Sequence, residues 1–357
     1  MSLFIRKYHG FFKHLLNWSI TVLLIKTAGL FPHFIELVYA QNIYPVIAVI
    51  NRWLAHFIPF SLGDLIYFWG ISYLLYQIIQ FFIHIKKPWK QLAVISNFLL
   101  KTIWIFYLSW GLNYFRLPLS GIINLSETDY TLEQLKTVTD SLILRTNRLQ
   151  MQLTGNDTIA VSVPYALERI LDKAPEGYQA IADMIHTDYS VPCVKTSLFS
   201  KQISYMHVSG YLNPFTGEAQ INKFYPKVFL PDIASHEIAH QLGFAPENEA
   251  NFLGYLASIH NSDTYFNYAG NIDALYYLLI EIKKADREMF SSFVKKINKG
   301  VLKNFKEANE FSKRYRFPIN FSTGYDAYLK INKQASGIRS YNEMVRLVIA
   351  YELQLKK

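Results

Sequence analysis

Residues 236–240 read His-Glu-Ile-Ala-His, a set of residue types and spacings suited to metal-assisted hydrolysis. On an α-helix, His236 and His240 lie one turn apart on the same face, where two imidazoles can bind one metal ion. Glu237 lies beside them and can accept a proton from a water that the metal activates. The alternative is an ordinary amphipathic helix with surface histidines. The pattern favours a metal centre in which Glu237 is the general base.

A third ligand is expected just downstream, because catalytic zinc sites use three protein ligands and leave one position open. Gly243 suits the end of the first helix, and Pro246 suits the start of a second. Glu247 and Asn251 are four residues apart and share a face of that second helix. We expect Glu247 to bind the metal and Asn251 to hydrogen-bond a ligand imidazole. Glu249 points to another face and is the alternative ligand.

These motifs resemble two known groups. His-Glu-x-x-His followed by Glu-x-x-Ala-Asn is similar to the Glu-zincin (gluzincin) metallopeptidases. That resemblance implies Zn²⁺ bound by His236, His240 and Glu247, with Glu237 as the catalytic base acting on peptide bonds. The chain also resembles the DUF3810 family, uncharacterised membrane proteins of Bacteroidetes. That second resemblance rests on four blocks of sequence: WGLNYFRLPL (110–119), NPFTGEAQIN (213–222), HEIAHQLGFAPENEANFLGYLA (236–257) and GIRSY (337–341).

The first third of the chain is apolar enough to enter a membrane. Hydrophobic residues make up 51% of the sequence and aromatic residues 16%, both high for a soluble enzyme. Residues 1–116 form the predicted membrane region, with spans at about 15–31, 62–83 and 92–115. Residues 42–60 are predicted to be an interfacial amphipathic stretch between the first two spans, not a further crossing.

Basic residues set the expected orientation. They are concentrated before the first span and between the second and third, at Lys86, Lys87 and Lys90. The positive-inside rule therefore places the N-terminus in the cytoplasm and the chain beyond about 116 outside it. The predicted location is a bacterial inner (cytoplasmic) membrane, multi-pass, with the catalytic domain on the periplasmic side. The first span could instead be a cleaved signal peptide, although an uncleaved anchor is preferred.

Residues 117–357 are predicted to form one extracytoplasmic, zincin-like domain, so the fold class is mainly α with a small β-sheet. Strands are expected at 193–208 and 218–222, forming a hairpin just before the metal-binding helix. The gluzincin resemblance implies that a substrate peptide pairs with such a strand. A helix is expected at 164–187, interrupted at 175–177. Further helices are expected over 264–282, 284–298, 300–314 and 339–354.

A few further features of the sequence bear on the site and on possible partners. Tyr325, Arg339 and Tyr341 could stabilise an oxyanion opposite the base, although surface loop packing is the simpler interpretation. His207 is expected to be structural. The single cysteine, Cys193, excludes an intrachain disulfide and is expected to be buried. The net charge of +9 comes without a basic run interleaved with aromatics, which argues against nucleic acid and favours anionic lipid as the acidic partner.

The function predicted from sequence is a membrane-anchored zinc metallopeptidase acting on a peptide or protein. Two alternatives stay open: a catalytically inactive binding protein on a zincin scaffold, and a metal-dependent hydrolase of another amide, such as one in the cell wall. Intramembrane proteolysis is disfavoured because the HEIAH sequence follows far beyond the last span. The sequence makes no prediction of substrate specificity or oligomeric state.

Overall fold

Long apolar helices dominate the N-terminal region of the computed structural model, which describes residues 2–86, 88–125, 129–316 and 341–355. Helix α4 (Leu62–Ile83) matches the second predicted span, whereas α5 (Pro88–Ser109) begins four residues before the third predicted span, 92–115, and ends six residues before its end. Their large side chains face outward, as Trp69 and Phe82 do at 68% and 66% exposure. Such exposure over two whole helices is expected where lipid, not water, surrounds the protein.

One helix that is long and apolar enough to cross a membrane, Pro32–His56, was not among the spans predicted from the sequence. Among the described residues, the candidates by length and mean hydropathy are Pro32–His56, Leu62–Ile83 and Pro88–Ser109. The predicted span at 15–31 falls mostly within α1 (Ser2–Ala28), whose last turn carries Lys26. The segment Pro32–His56 comprises α2 (Pro32–Phe34), a π-helical stretch (Ile35–Ile43) and α3 (Tyr44–His56).

Helix α1 packs beside α5 and runs in the same direction. Its Trp18 indole donates to Ser96 Oγ at 3.0 Å, and the Trp104 indole of α5 donates to Thr21 Oγ1 at 3.1 Å. Helix α4 precedes α5 through a short connection and packs against it, with the Tyr73 and Phe98 rings 5.0 Å apart. The C-terminal ends of α1 and α5 and the N-terminal end of α4 therefore lie on one side of this bundle.

The remainder of the chain is mostly helical, as predicted, and its core is built around α11 and α12, which pack extensively on each other. A 3₁₀ turn at Gly111–Phe115 leads out of α5, and another at Lys227–Phe229 leads into α11. The helices are α6 (Leu119–Ile122), α7 (Leu132–Thr154), α8 (Leu167–Ala180), α9 (Ala182–Ile185), α10 (Ser200–Tyr205), α11 (Leu230–Gln241), α12 (Glu247–His260), α13 (Thr264–Ala285), α14 (Arg287–Lys295), α15 (Lys299–Arg314) and α16 (Tyr341–Gln354).

The last four helices confirm the predictions made from apolar spacing, within their described parts. The predicted interruption at 175–177 is wrong, because α8 continues through Pro175 and Gly177. A Cβ at position 177 would collide with the backbone carbonyl of Ala257. Glycine is therefore required there by close packing of α8 on α12, and it does not mark a helix end.

A three-stranded sheet of order β1-β3-β2 precedes α11. Strand β1 (Val194–Thr196) pairs in parallel with β3 (Ala219–Ile221), and β2 (Gly210–Leu212) pairs with β3 antiparallel. A hairpin is present as β2–β3, but its first strand, Gly210–Leu212, lies beyond the strand predicted at 193–208. The long strand predicted over 193–208 is wrong, since α10 forms within it.

Serine side chains explain the interruption by α10. Ser204 Oγ donates to the carbonyl of Ser200 at 2.7 Å, and Ser200 Oγ donates to that of Ser197 at 2.6 Å. These local bonds compete with strand pairing and outweigh the β-branched and aromatic content of the segment.

Candidate metal centre

Helix α11 presents the histidines as the spacing predicted. The His236 and His240 rings are 4.8 Å apart, centroid to centroid, and nearly perpendicular at 88°. The helix is buried along most of its length and packs on α8, α12 and the sheet. A short, rigid and well-packed helix of this kind fixes the positions of both imidazoles before any ligand binds.

A tight turn returns the chain across α11. Helix α11 ends at Gln241, and Gly243 follows with φ of +86°, a left-handed conformation that favours glycine. Helix α12 begins at Glu247. Gly254 lets the two helices approach closely, because a Cβ there would lie 3.1 Å from the His236 backbone nitrogen.

This turn brings Glu247 to both histidines. Its Oε2 lies 3.4 Å from His236 Nε2, and its Oε1 lies 3.6 Å from His240 Nε2. One ligand atom from each of the three residues lies within 4.8 Å of the others. Two ligand atoms on one tetrahedral metal ion, with bonds of about 2.0–2.1 Å, are separated by about 3.3 Å. The two distances from Glu247 are close to this value, so the group could hold a metal ion.

The group is open on one side. The His236 and Glu247 side chains retain 15% and 19% exposure, whereas that of His240 retains 7%. Three protein donors with an accessible remaining position are typical of a catalytic metal site, while structural sites are closed by a fourth protein ligand.

A backbone carbonyl orients His240. Its Nδ1 lies 2.8 Å from the carbonyl oxygen of Phe244, so a proton on Nδ1 donates to that oxygen and leaves the Nε2 lone pair facing Glu247. Sequence reasoning gave this orienting role to Asn251. Within the described part of the chain, Asn251 makes no hydrogen bond to either imidazole, and the turn itself supplies the partner.

Opposite charges control the pKa values of the group. Burial raises the pKa of the Glu247 carboxyl, but the attraction of His240 and His236 outweighs it and holds that pKa well below its usual range. Burial lowers the pKa of His240, but Glu247 outweighs it and raises the pKa to about 9. Without a metal, a proton therefore occupies the place between these side chains at neutral pH.

Glu237 is buried beside the group, with 3% exposure. Its Oε2 has no hydrogen-bond partner among the residues that the structure describes. Burial raises its pKa to about 7, against the opposing effect of His236 and His240. A buried carboxylate without a partner is costly to maintain, and a pKa near neutrality is what a general base requires.

Glu249 has a different role from Glu247. It is buried at 6% exposure, and its Oε1 accepts a hydrogen bond from the Leu119 backbone N–H at 2.9 Å. It therefore fastens the start of α6 to α12 and is not part of the metal-binding group. The structure thus brings Glu247, and not Glu249, to the two histidines.

The remaining sequence candidates are not placed at the site. Tyr325 and Arg339 lie outside the described residues, and Tyr341 opens α16 with a side chain that is also outside them. His207 is exposed, and Cys193 is buried as expected. The oxyanion candidates therefore stay predictions.

Comparison with known proteins gives a family. The family described as "Protein of unknown function (DUF3810)" matches residues 39–349 of the chain, which is most of its length. The chain belongs to the DUF3810 family. A search of the curated proteins and a search of the solved structures each found no match. Membership of DUF3810 thus carries no activity with it, and any function must be argued from the site.

Sequence reasoning missed the residues that hold the C-terminal end of α11. The carbonyl of His240 accepts from the Trp110 indole at 2.9 Å, and that of Gln241 accepts from Tyr44 Oη at 2.8 Å. Arg52 also donates to Gln241, and Arg116 donates to the carbonyl of Gly243, both at 3.1 Å. These four residues satisfy carbonyls that a helix end leaves without partners. The WGLNYFRLPL block, which contains Trp110 and Arg116, stands out in the sequence. The sequence does not show that these two residues contact the end of α11.

A second missed residue is Asp273 of α13. Burial raises its pKa to about 7, and the nearby His236 lowers it. Nothing in its sequence setting connects it to the HEIAH helix, because the two are joined only by packing of α13 on α11.

Proposed function

We propose that this chain is a membrane-anchored zinc metallopeptidase of the gluzincin type. One observation carries the proposal: the Glu247 carboxylate meets both imidazoles of the HEIAH helix, while Oε2 of the buried Glu237 carboxylate beside them has no hydrogen-bond partner among the described residues. A purely structural metal site has no use for such a carboxylate, whereas hydrolysis requires a base next to the metal.

In the proposed reaction, the metal ion and the side chains of this protein have separate roles. When bound, Zn²⁺ supplies a Lewis acid for the substrate carbonyl and for the attacking water. Glu237 accepts the proton from that water and then delivers it to the leaving amine. A carboxyl with a pKa near 7 can do both, because neither protonation state is strongly disfavoured at neutral pH. His236, His240 and Glu247 hold the reacting atoms in place.

Strand β2 offers a place for an extended peptide. It is an edge strand that pairs only with β3 among the described strands. Gly210, its first residue, lies directly over Glu237, since a Cβ there would be 2.7 Å from Glu237 Oε1. A peptide that adds to this edge places its backbone beside the base, and the missing side chain at 210 leaves room for the Glu237 carboxylate under the strand.

The contacts of α3 support the predicted topology. Both ends of this helix touch the domain that carries the site: Tyr44 Oη donates to the Gln241 carbonyl, and His56 Nδ1 lies 3.2 Å from the Pro192 carbonyl. A helix held to that domain at both ends lies along it and does not cross the bilayer. We therefore propose three crossings, by α1, α4 and α5, with α3 in the interface and the catalytic domain on the periplasmic side of a bacterial inner membrane.

The test uses the full chain, because residues before 117 contact the metal-binding helix. The purified wild type should contain close to one Zn²⁺ per chain, and it should cut members of a peptide library. Glu237→Gln keeps the size of the side chain and should retain the metal while losing at least about 10²-fold in turnover. Glu133→Gln is the matched control, since Glu133 is exposed on α7, and it should behave as wild type. Unchanged cleavage by the metal-loaded Glu237→Gln protein would reject the proposal in favour of a binding scaffold.

A further inference from the structure

The candidate metal group lies between the end of α5 and the edge strand β2, and we call the space between these two walls the candidate cleft. Both walls rest directly on the ends of proposed membrane helices. On one side, Trp110 follows the last residue of α5, and it contacts the ligand residue His240 through a hydrogen bond and an edge-to-face ring contact at 6.0 Å. The metal centre is therefore one side chain away from the end of a proposed crossing.

The other wall is the edge strand, which is held by the first turn of α4. Tyr211 of β2 donates to the Asp64 carboxylate, and its ring lies 6.3 Å from that of Tyr67. The same Asp64 carboxylate accepts from the Leu198 backbone N–H at 2.6 Å. Glu218, which precedes β3, accepts from two backbone N–H groups at the start of α4. The sheet is thus attached to the membrane helix by buried, charge-assisted bonds.

An apolar and basic rim continues outward from this attachment. It consists of α10 and the turn after β3, which are joined through Asn222, whose amide donates to Ser204 Oγ and to the Val208 carbonyl at 2.9 Å. The rim exposes large apolar side chains and two lysines together: Leu198, Lys201, Tyr205, Met206, Lys223 and Phe224. Exposed apolar groups mixed with basic ones suit the headgroup region of an anionic bilayer.

We propose that the cleft works at the bilayer surface: the rim enters the membrane interface beside α4, and the substrate is a polypeptide anchored in the same membrane and cut close to its anchor. The inference rests on the proposed peptidase function for its substrate class. The lipid contact of the rim stands independently of catalysis. The bilayer is the occupant that fits the rim, because the rim is continuous with the N-terminal end of a helix that the bilayer surrounds.

A labelling experiment tests the rim. Replacing Cys193 by Ser leaves no native cysteine, and Leu198→Cys or Met206→Cys then carries an environment-sensitive fluorophore on the full chain in proteoliposomes. Lipids brominated in their acyl chains should quench both labels several-fold more than they quench a label at Leu144→Cys. Leu144 is a matched control, being 67% exposed on α7, which packs on α13 and α16.

Two results would overturn the rim assignment. Labels quenched by aqueous iodide and not by brominated lipid would place the rim in water. Labels protected from both quenchers would mean that protein, and not the bilayer, covers the rim.

A cleavage experiment tests the substrate class. A degenerate peptide library is presented to the reconstituted protein either free or fused to a single transmembrane helix. The anchored library should be cut at least about tenfold faster at equal bulk concentration, because confinement to the membrane raises its effective concentration at the cleft. Mapped cuts should cluster within about ten residues of the anchor, a span of roughly 35 Å when extended.

The outcomes separate this inference from the proposed function. Equal cleavage of both libraries would overturn the anchored-substrate proposal while leaving the peptidase intact. Absence of cleavage from both, with the rim labels still quenched by lipid, would reject the peptidase and the substrate class together but retain the bilayer contact.

Discussion

The Trp110 indole N–H donates to the backbone carbonyl of His240 at 2.9 Å, which joins the residue after α5 to a residue of the candidate metal group. The carbonyl belongs to the last turn of α11, where the helix cannot supply an internal partner. The apolar N-terminal region thus supplies a hydrogen bond to the helix that carries two residues of the candidate metal group. The N-terminal region and the domain that carries the site are therefore in contact at His240, where a change in the orientation of the imidazole would alter the candidate metal group.

The first prediction concerns that bond. Trp110→Phe keeps an aromatic ring against His240 but removes one of the donors to its carbonyl, while the Gly243 N–H still donates to that carbonyl at 3.1 Å. The loss is that of one hydrogen bond, about 0.5–1.5 kcal/mol. We expect weaker metal binding through a less well-fixed His240, by about twofold to tenfold, measured by competition with a chelator. Trp69→Phe, at an exposed site on α4, should leave metal affinity unchanged. Equal affinities in the two variants would contradict this role for Trp110.

The second prediction separates the two glutamates at the start of α12. Glu247→Gln removes a charged ligand and should weaken metal binding by more than about 100-fold, beyond the range typical of partners outside the ligand set. Glu249→Gln should leave metal affinity within a few-fold of wild type, since Glu249 binds the Leu119 backbone. Metal content after dialysis and a chelator titration measure both. Loss of metal from the Glu249 variant alone would mean that our ligand assignment is wrong.

Local patterns in the sequence were sufficient for the metal group and insufficient for its surroundings. The i, i+4 spacing of His236 and His240 and the turn at Gly243 depend on nearby residues, so helix geometry predicts them. Gly210 over Glu237 and Trp110 on His240 depend on tertiary packing between segments far apart in sequence, which no periodicity encodes. The strand predicted over 193–208 failed for a local reason, because serine hydrogen bonds favoured α10.

Local sequence patterns were also insufficient to decide which helices cross the membrane. Hydropathy alone selects Pro32–His56 and does not select α1. The contacts of Tyr44 and His56 with the domain that carries the candidate metal group argue that α3 lies in the interface. The amino-acid composition of a helix shows whether the helix tolerates lipid. Its position also depends on the polar groups that its buried face contacts. In α3 that face includes Arg52, which donates to the Gln241 carbonyl.

The third prediction concerns pH. Since the pKa of His240 in the metal-free protein is raised from 6.5 to about 9, its proton adds stability that is fully present below 6.5 and is lost as the pH rises through about 9. A metal ion needs the neutral imidazole, so it must displace this proton. The apparent metal affinity should therefore rise about tenfold per pH unit between roughly 6.5 and 9 and then level off.

Calorimetry can count the displaced proton. At pH 7, metal binding should release about one proton, measured in two buffers that differ in their heat of ionisation. The Glu237→Gln/Asp273→Asn double variant removes the two neighbouring carboxyl groups whose pKa values are raised to about 7, so proton release in that variant reports on His240. A pH-independent affinity over this range would show that His240 is already neutral in the free protein.

The last prediction tests the close approach of the edge strand to the base. A Cβ at position 210 would lie 2.7 Å from Glu237 Oε1 and 2.9 Å from its Cγ, so Gly210→Ala must displace either the carboxylate or the strand. The three atoms nearest to that position belong to Glu237 and Gln220 and not to a proposed ligand, so metal content should stay at the wild-type value. Turnover should fall by at least about 10²-fold, the scale of a misplaced catalytic group. Gly121→Ala is the matched control, because nothing lies within 4 Å of a Cβ there. Full activity of the Gly210→Ala protein would show that Glu237 does not act from beneath β2, and the proposed path of the peptide along that strand would have to be abandoned.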